Sequence, residues 1–349
     1  MKVYTRDYRI PHIRSSVWAR YFGGLRHCVF DIETTGLDPV RNKIIMTALL
    51  TETDDGVRIT QFLAENHYEE EKVISATMDF LKREGINYLI TFNGARFDIP
   101  FVRKRMEKLI MPDDMNLYNL DLYRFIKKET ILPNLMKSLR QKMVEEYFGL
   151  GTDRQDTITG RESVTLYEKF ALTGDSVAEK IILTHNREDV LQLYRILVSL
   201  SYDEWVPRLK TGDFHQAIAS YGMPVRDSNG AVALSAHVEP RTRGIRITGT
   251  QLENPISAAI FRSDEYAVDA DFKATTGTFE ITVVPTVYQG SIFLPLRQAG
   301  IDERGLITLS RHPGYCEGCL ILKDGDNTDR EAVNLLAMET SRALYERLK

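Results

Sequence analysis

The first 200 residues alternate short apolar runs with longer stretches in which apolar residues recur every three or four positions. Short apolar runs between polar or glycine residues are typical of buried strands, and the three-to-four spacing is typical of amphipathic helices. These patterns predict strands at 27–31, 42–50, 58–64, 86–93 and 117–123, and helices at 68–84, 99–109, 134–148, 162–172 and 176–200. Three strands in direct succession predict an antiparallel meander, and strands separated by helices predict parallel additions. We therefore expect an α/β fold with a mixed five-stranded sheet flanked by helices.

Beyond about residue 205 the chain is rich in Gly, Thr and Val and has few helical patterns before its end. Strands are predicted at 243–249, 276–284, 290–296 and 305–310. A last helix is predicted to begin at a capping box formed by Thr328 and Glu331. We therefore predict two domains, residues 1–204 and residues 205–349, of which the second is a smaller β-rich α+β domain closed by that helix.

Composition narrows the class of protein. A length of 349 residues fits two domains, and a 43% apolar fraction is enough for a real core. A net charge of −4 excludes a strongly basic protein that coats nucleic acid through its overall positive charge. The N-terminus is charged where a signal peptide is apolar, no apolar run is long enough to cross a bilayer, and three cysteines fit a reducing compartment. We expect a cytoplasmic protein with no membrane segment.

Two carboxylates follow the apolar run Cys-Val-Phe at the end of the first predicted strand. Asp31 and Glu33 are two positions apart, so they project from the same face of that strand. Two such carboxylates raise each other's pKa unless a cation lies between them. A divalent metal site is one interpretation, and two solvated acids at a strand end are the alternative.

Other acids and one histidine fall at compatible places. Asp98 lies five residues after Asn93, at the predicted start of a helix, where the helix dipole favours an acid. His185 and Asp189 are four apart and share one face of a later predicted helix. Taken singly, these are a helix-start acid and an ordinary ion pair. Together with the first pair they supply four carboxylates and one imidazole for a single site.

Three motifs carry a resemblance to a known family: DIETTGL (31–37), ITFNGARFDIP (90–100) and HNREDVLQL (185–193). In that order they resemble the motifs of the DEDD exonuclease superfamily on the ribonuclease-H-like fold, most closely the bacterial YprB-type domain. The segments NLDLYRF (119–125), ILPNLMKSL (131–139) and ITGRESVTLY (158–167) are also similar. The resemblance covers about residues 25–202 and does not extend to 205–349.

The resemblance implies a two-metal 3′–5′ exonuclease that hydrolyses phosphodiester bonds of DNA or RNA. It implies Asp31, Glu33, Asp98 and Asp189 as ligands of two Mg²⁺ or Mn²⁺ ions, and His185 as the residue that orients or deprotonates the attacking water. In the superfamily this fifth residue is usually a histidine five positions before the last aspartate or a tyrosine four before it; here a histidine has the four-residue spacing.

Substrate-binding residues are expected at Asn93, Thr34 and Phe97. The resemblance implies that Asn93 contacts the substrate or supports the site. Phe97 either stacks on a terminal base or packs in the core.

The expected partner is nucleic acid with a single-stranded 3′ end, either DNA or RNA. Residues 96–142 contain 11 Lys or Arg against 6 Asp or Glu, an excess that fits a phosphate backbone beside an acidic site. One alternative is a non-catalytic nucleic-acid-binding or assembly protein on the same scaffold, and another is an endonuclease or a transposase-like member of the fold. Retention of all four acids and the order of the motifs favour the exonuclease.

A second candidate metal site lies in the C-terminal part. His312, Cys316 and Cys319 have a spacing that fits three zinc ligands, but the sequence shows no fourth. The alternative is a tight turn that carries two buried or free thiols, and it is the interpretation we favour.

Overall fold

The computed structural model describes residues 1–150, 154–156, 158–200, 203–241 and 244–349. They form two compact units, Met1–Arg208 and Leu209–Lys349. The strands of the first unit are β1 (Lys2–Tyr8), β2 (His27–Thr34), β3 (Ile44–Thr53), β4 (Gly56–Leu63), β5 (Tyr88–Thr91) and β6 (Tyr118–Asp121). Its helices are α1 (Ser16–Phe22), α2 (Glu70–Arg83), α3 (Asp98–Lys108), α4 (Leu122–Glu129), α5 (Leu132–Leu135), α6 (Gln141–Tyr147), α7 (Gly160–Thr173) and α8 (Ser176–Leu200), followed by a 3₁₀ helix at Asp203–Arg208.

The six strands form one mixed sheet in the order β1-β4-β3-β2-β5-β6. β2, β3 and β4 are the predicted antiparallel meander, and β5 and β6 join β2 in parallel. The sheet has one strand more than predicted, because Lys2–Tyr8 pairs antiparallel with β4 along its whole length. A strand of mostly exposed polar residues at a sheet edge gives no apolar run by which to recognise it.

Both faces of the sheet are covered by helices. On one face, Phe30 and Ile32 of β2 belong to an apolar cluster that includes residues of α2 and α3. On the other face, Met46 and Leu63 pack with residues of α7 and α8. Because side chains alternate along a strand, Asp31 and Glu33 project from β2 on the side opposite Phe30, toward α7 and α8.

One predicted helix of the first unit is broken. The predicted helix 134–148 is two short helices, α5 and α6, separated by residues 136–140. Met136 and Arg140 have extended backbone angles, and Ser138 Oγ accepts a hydrogen bond from Arg140 N at 3.2 Å. Such local side-chain to backbone bonds compete with a continuous helix.

The described residues of the second unit form two antiparallel sheets and three α-helices. The larger sheet contains β7 (Met223–Arg226), β8 (Val232–Arg241), β9 (Gly244–Gln251), β10 (Ala258–Ile260), β11 (Val268–Lys273) and β12 (Thr278–Val283), in the order β10-β11-β12-β9-β8-β7. The smaller sheet contains β13 (Thr286–Tyr288), β14 (Ser291–Pro295), β15 (Tyr315–Cys316), β16 (Cys319–Asp324) and β17 (Asn327–Thr328). The helices are α9 (Phe214–Tyr221), α10 (Glu303–Ser310) and α11 (Arg330–Leu348), with a 3₁₀ helix at Leu296–Gln298. Of the predicted strand 243–249, Arg243 lies outside the described residues.

Two local predictions in this unit are wrong. Residues 305–310 are not a strand but lie in α10, because Asp302 caps the helix by accepting a hydrogen bond from Gly305 N at 2.9 Å. Gly305 and Leu309, four residues apart, are the buried side of that helix. The N-cap of α11 is Asp329, which accepts from Ala332 N at 3.0 Å, whereas Thr328 belongs to β17.

The predicted turn between Cys316 and Cys319 is present as a two-residue connection between β15 and β16. The cysteines face each other in the hairpin, and Glu317 and Gly318 between them have positive φ angles of 46° and 84°. Both cysteines are free, and they do not gather with His312 into a cluster of metal-ligand atoms among the described residues. Within those residues, none of the helices has the length and apolar character needed to cross a membrane.

Candidate metal centre

The candidate site lies at the end of β2, on the face of the sheet that α8 covers. The pairing of β2 with β3 is interrupted by a bulge between Glu33 and Thr34, directly after the two acids. Bulges redirect side chains and are frequent beside functional sites.

Three side chains meet there from positions about 150 residues apart. Glu33 of β2 and His185 and Asp189 of α8 each offer one donor atom, and these three atoms lie within 4.8 Å of one another. His185 Nε2 is 3.6 Å from Glu33 Oε1 and 3.7 Å from Asp189 Oδ2. His185 and Asp189 point the same way because residues four apart lie on one face of a helix. The arrangement forms a compact cluster of one imidazole and two carboxylates.

The other end of each of these side chains is held by a neighbour. Ser163 of α7 donates a hydrogen bond from Oγ to Glu33 Oε2 at 3.1 Å. His185 Nδ1 is 2.6 Å from Asp156 Oδ2, and Arg154 Nη2 donates to Asp189 Oδ1. Because an ionised carboxylate only accepts hydrogen bonds, Nδ1 carries the proton, and in the neutral ring Nε2 has the free lone pair.

Arg154 links three acids around the site. Besides Asp189 it pairs with Asp156 through Nε and with Glu145 through Nη1, at 2.8 and 3.0 Å from the two oxygens of Glu145. The side chains of Arg154, Glu145 and Asp156 are almost entirely buried. The arginine therefore neutralises part of the negative charge at the edge of the cluster.

Asp31 is held from α8 by an amide. Asn186 Nδ2 donates to Asp31 Oδ2 at 2.8 Å, and Asn186 Oδ1 accepts from Gln61 Nε2 at 2.9 Å. Asn186 and Gln61 are buried, so this chain of hydrogen bonds crosses the interior between β4, α8 and β2. It fixes one oxygen of Asp31.

Asp98 approaches the end of β2 from another element. It is the first residue of α3, as predicted, and its Oδ1 accepts a hydrogen bond from the backbone N–H of Ile32 at 3.3 Å. Ile32 lies between Asp31 and Glu33 in the chain, so this bond ties the start of α3 to the segment that carries both acids. The charge of Asp98 contributes to the raised pKa of Asp31.

Burial and mutual repulsion leave these acids hard to ionise. Burial is the main cause that raises the pKa of Asp31, with the charges of Asp98, Asp189 and Glu33 adding to it. Burial also raises the pKa of Glu33 to about 7 and that of Asp98 to about 7. For His185, burial acts to lower the pKa, but the hydrogen bond to Asp156 and the charges of Asp189 and Glu33 raise it overall.

The donor set fits divalent cations. Carboxylate oxygens suit Mg²⁺ and Mn²⁺, and an imidazole nitrogen is compatible with Mn²⁺ and other transition ions. A bound cation removes the repulsion that raises the pKa values of the acids. Asp31, Glu33, Asp98, Asp189 and His185 are the residues that would hold such ions or act beside them.

The predicted substrate-binding residues surround the start of α3 and the end of β2. Asn93 has a positive φ of 67°, and its backbone N–H donates to Asp121 Oδ1 at 2.8 Å. Thr34 Oγ1 donates to Gly36 O at 2.7 Å, in the turn after β2. Phe97 is half-buried against the apolar cluster of α2 and α3, and its ring centroid is 5.4 Å from that of Phe101. Thus Phe97 contributes to the core, as one of the two interpretations expects.

The turn that leads into Asp98 is built by two residues that the sequence interpretation did not single out. Asp121 accepts backbone hydrogen bonds from Asn93 and Ala95, at 2.8 and 3.1 Å. Gly94 is required because a Cβ there would lie 2.4 Å from Thr91 Oγ1. The buried Asp121 therefore holds the turn before the helix whose first residue is Asp98.

Several other residues at the site were also missed. Ser163 and Asn186 lie inside the quoted similar segments 158–167 and 185–193, so their position was a signal that could have been used. Arg154 and Asp156 lie between α6 and α7 in a stretch with no periodic pattern, and nothing in the sequence pointed to them.

One comparison with known proteins bears on the fold of the first unit. Residues 28–201 match a family model described as RNase_H superfamily. With the mixed sheet and its flanking helices, this confirms the predicted α/β, ribonuclease-H-like class for that part of the chain. A scaffold of this kind is typical of nucleases that use divalent metals.

Two individual proteins are similar to the chain. An uncharacterized protein of Methanocaldococcus jannaschii is 28% identical over 183 residues, an alignment that covers 49% of this chain and 94% of that protein. A family B DNA polymerase from the hyperthermophilic archaeon Pyrobaculum calidifontis aligns with 92% of this chain at 17% identity, with a TM-score of 0.40. This chain spans only 46% of the polymerase.

Proposed function

We propose that this protein is a metal-dependent 3′–5′ exonuclease of the DEDD type that hydrolyses phosphodiester bonds of DNA or RNA. The observation that carries the proposal is the meeting of Glu33, His185 and Asp189 within 4.8 Å, with Asp31 on the same strand. Asp98, bonded to the backbone between Asp31 and Glu33, supplies the fourth acid. The YprB-type resemblance and the ribonuclease-H-like fold support the same function.

We assign the carboxylates as metal ligands and the histidine to a separate role. Asp31, Glu33, Asp98 and Asp189 would hold two Mg²⁺ or Mn²⁺ ions. When bound, such a pair of ions activates the attacking water and stabilises the leaving 3′ oxygen. His185 takes part through Nε2, because Nδ1 is committed to Asp156. That nitrogen either orients and deprotonates the attacking water or serves as a further ligand.

Residues around the metal ligands are proposed to bind the substrate or to hold the ligands in position. Asn93, Thr34 and Phe97 are proposed as substrate-binding residues around the single-stranded 3′ end. Ser163, Asn186 and Asp156 would act on the acids and the imidazole by holding them in place. We further propose that residues 1–204 carry the nuclease and that residues 205–349 form an accessory domain.

The test is degradation of a strand labelled at its 5′ end by the full chain in Mn²⁺ or Mg²⁺. We expect stepwise shortening from the 3′ end, abolished by EDTA and by Asp31→Asn, which keeps the side-chain size. Asp114→Asn, an exposed acid in another loop, is the matched control and should keep full activity. An Asp31→Asn variant as active as the parent contradicts the proposal, and cleavage of a circular strand indicates an endonuclease instead.

A further inference from the structure

The imidazole of His185 is oriented toward the centre of the acid cluster. Its side chain is only 7% exposed, and its Nε2 faces Glu33 Oε1 and Asp189 Oδ2 at 3.6 and 3.7 Å. Both distances exceed that of a hydrogen bond. This nitrogen of a mostly buried side chain thus faces two carboxylate oxygens without a hydrogen bond to either.

These separations fit three donor atoms around one cation. Donors at about 2.1 Å from a common ion are about 3.0 Å apart along an octahedral edge and about 3.4 Å apart along a tetrahedral edge. The two separations from His185 Nε2 exceed the tetrahedral edge by only a few tenths of an ångström, and the carboxylate atoms of Glu33 and Asp189 lie within 4.8 Å of each other. Rotation of the two carboxylates toward Nε2 would bring the three atoms to ligand distance.

In each of the three side chains, the second atom that could bind a metal is already used in a hydrogen bond to a neighbouring residue. Glu33 uses Oε2 with Ser163, His185 uses Nδ1 with Asp156, and Asp189 uses Oδ1 with Arg154. Each side chain thus has one atom fixed from behind and one atom turned inward. A histidine that binds a metal typically donates its second ring N–H to a carboxylate, which orients the ring and strengthens the ligand.

We propose that His185 is a metal ligand through Nε2 and forms, with Glu33 and Asp189, a mixed nitrogen and oxygen site for a first-row transition ion such as Mn²⁺. The inference deepens the proposed function, on which it rests for the presence of metal in this site. Asp31 and Asp98 contribute oxygen only, so the two parts of the site differ in the ions they favour.

The chemical consequence is a preference between ions. Imidazole is a common ligand of transition metals, whereas Mg²⁺ favours oxygen donors. The Glu33, His185 and Asp189 cluster should therefore select Mn²⁺ over Mg²⁺. An all-oxygen set would discriminate much less.

Pulsed electron paramagnetic resonance of Mn²⁺ bound to the full chain detects a directly coordinated nitrogen without reference to activity. After EDTA treatment and addition of Mn²⁺, we expect nitrogen modulation from a coordinated imidazole in the parent. It should persist in the control His12→Gln and disappear in His185→Gln. Modulation that persists in a folded His185→Gln variant, or is missing from the parent although Mn²⁺ binds, overturns the assignment.

Two further measurements keep the test decisive. If His185→Gln does not fold, the parent labelled with ¹⁵N-histidine must still show the change in nitrogen modulation, and an unchanged signal overturns the assignment. By calorimetric titration, His185→Gln should weaken Mn²⁺ binding by at least the roughly 10–100-fold typical of losing a ligand's outer partner, and Mg²⁺ binding much less; equal losses contradict the proposal.

The result is separable from the proposed function. Nitrogen coupling in a protein that degrades no strand supports the ligand assignment and contradicts the exonuclease. Degradation without nitrogen coupling contradicts the ligand assignment and supports the exonuclease. A chain that binds no Mn²⁺ contradicts both.

Discussion

Asn186 Nδ2 donates a hydrogen bond to Asp31 Oδ2 at 2.8 Å, joining α8 to the strand that carries the two motif acids. The same amide accepts from Gln61, so both of its ends are used in a buried setting. The position of Asp31 is therefore set by a residue 155 positions later in the chain.

Replacing Asn186 by Ala should leave Asp31 Oδ2 and the Gln61 amide without this partner. Loss of a partner in the interior costs about 1–3 kcal/mol, and we expect the free energy of unfolding to fall by that amount. Urea denaturation with EDTA present measures it. Asn66→Ala, which removes an exposed bond to Tyr68 N, is the control and should change stability far less. An equal loss in the free energy of unfolding for the two substitutions would contradict a stabilising role of the Asn186 hydrogen bond.

Asp156 is predicted to act on metal binding through the ring of His185. Asp156→Asn keeps the shape but replaces a carboxylate that accepts from Nδ1 at 2.6 Å. Loss of such an outer partner typically weakens metal binding about 10–100-fold, and we expect a loss in that range for Mn²⁺ by calorimetric titration. Asp114→Asn should leave the affinity unchanged. Unaltered Mn²⁺ affinity in a folded Asp156→Asn variant would contradict the role of this pair.

Arg154 is predicted to be essential for the metal-free fold around α6 and α8. Arg154→Ala would leave the buried Glu145 without its cation and Asp156 with Lys142 Nζ, at 3.2 Å, as its remaining one. Breaking a buried pair in this way costs about 3–5 kcal/mol. Arg26→Ala removes an exposed pair with Glu84 and should cost less than about 1 kcal/mol. Denaturation of the two variants side by side is the measurement. A loss for Arg154→Ala no larger than for Arg26→Ala would contradict the prediction.

The acids also predict how stability depends on pH. The pKa of Glu33 rises from 4.5 to about 7 and that of Asp98 from 3.8 to about 7, mainly through burial. Between about pH 4 and 7 the folded state therefore holds more protons than the unfolded chain, so the free energy of unfolding falls as pH rises. The raised pKa of His185 acts in the same direction, since its contribution is also lost as pH rises.

Denaturation with EDTA at pH 5, 6, 7 and 8 tests this dependence. We expect the metal-free protein to lose stability from pH 5 to pH 8, and Mn²⁺ to restore more of it at pH 8 than at pH 5. Glu33→Gln should reduce the fall, because one of the titrating groups is removed. A metal-free protein that is equally stable or more stable at pH 8 would contradict the shifted pKa values.

The sheet–helix layout of the first unit could be predicted because its signals are local. The apolar runs of β2 and β3 and the periodicity of α7 and α8 reflect burial on both faces of the sheet. The strand β1 was not predicted, because an exposed edge strand has no apolar run. α10 was mistaken for a strand because its apolar residues fit both periods, and the cap at Asp302 decided between them.

The residues of the candidate site likewise fall into those that local motifs predict and those that only the tertiary structure brings in. Asp31, Glu33, Asp98, His185 and Asp189 were proposed from motifs, in which spacing along one strand or helix already fixes which residues share a face. Their roles stay predictions. Ser163, Asn186, Asp156 and Arg154 act across 29 to 155 positions of chain through tertiary contacts. The quoted similar segments include Ser163 and Asn186, whereas no local pattern points to Asp156 and Arg154.

A crystal of the full chain, soaked in Mn²⁺ and measured at a wavelength where manganese scatters anomalously, shows whether these residues hold metal. We predict an anomalous peak within ligand distance of Glu33 Oε1, His185 Nε2 and Asp189 Oδ2, and a second one beside Asp31 and Asp98. A map with no peak at this end of β2, while the side chains keep the positions described, would contradict the claim that these residues converge to hold metal.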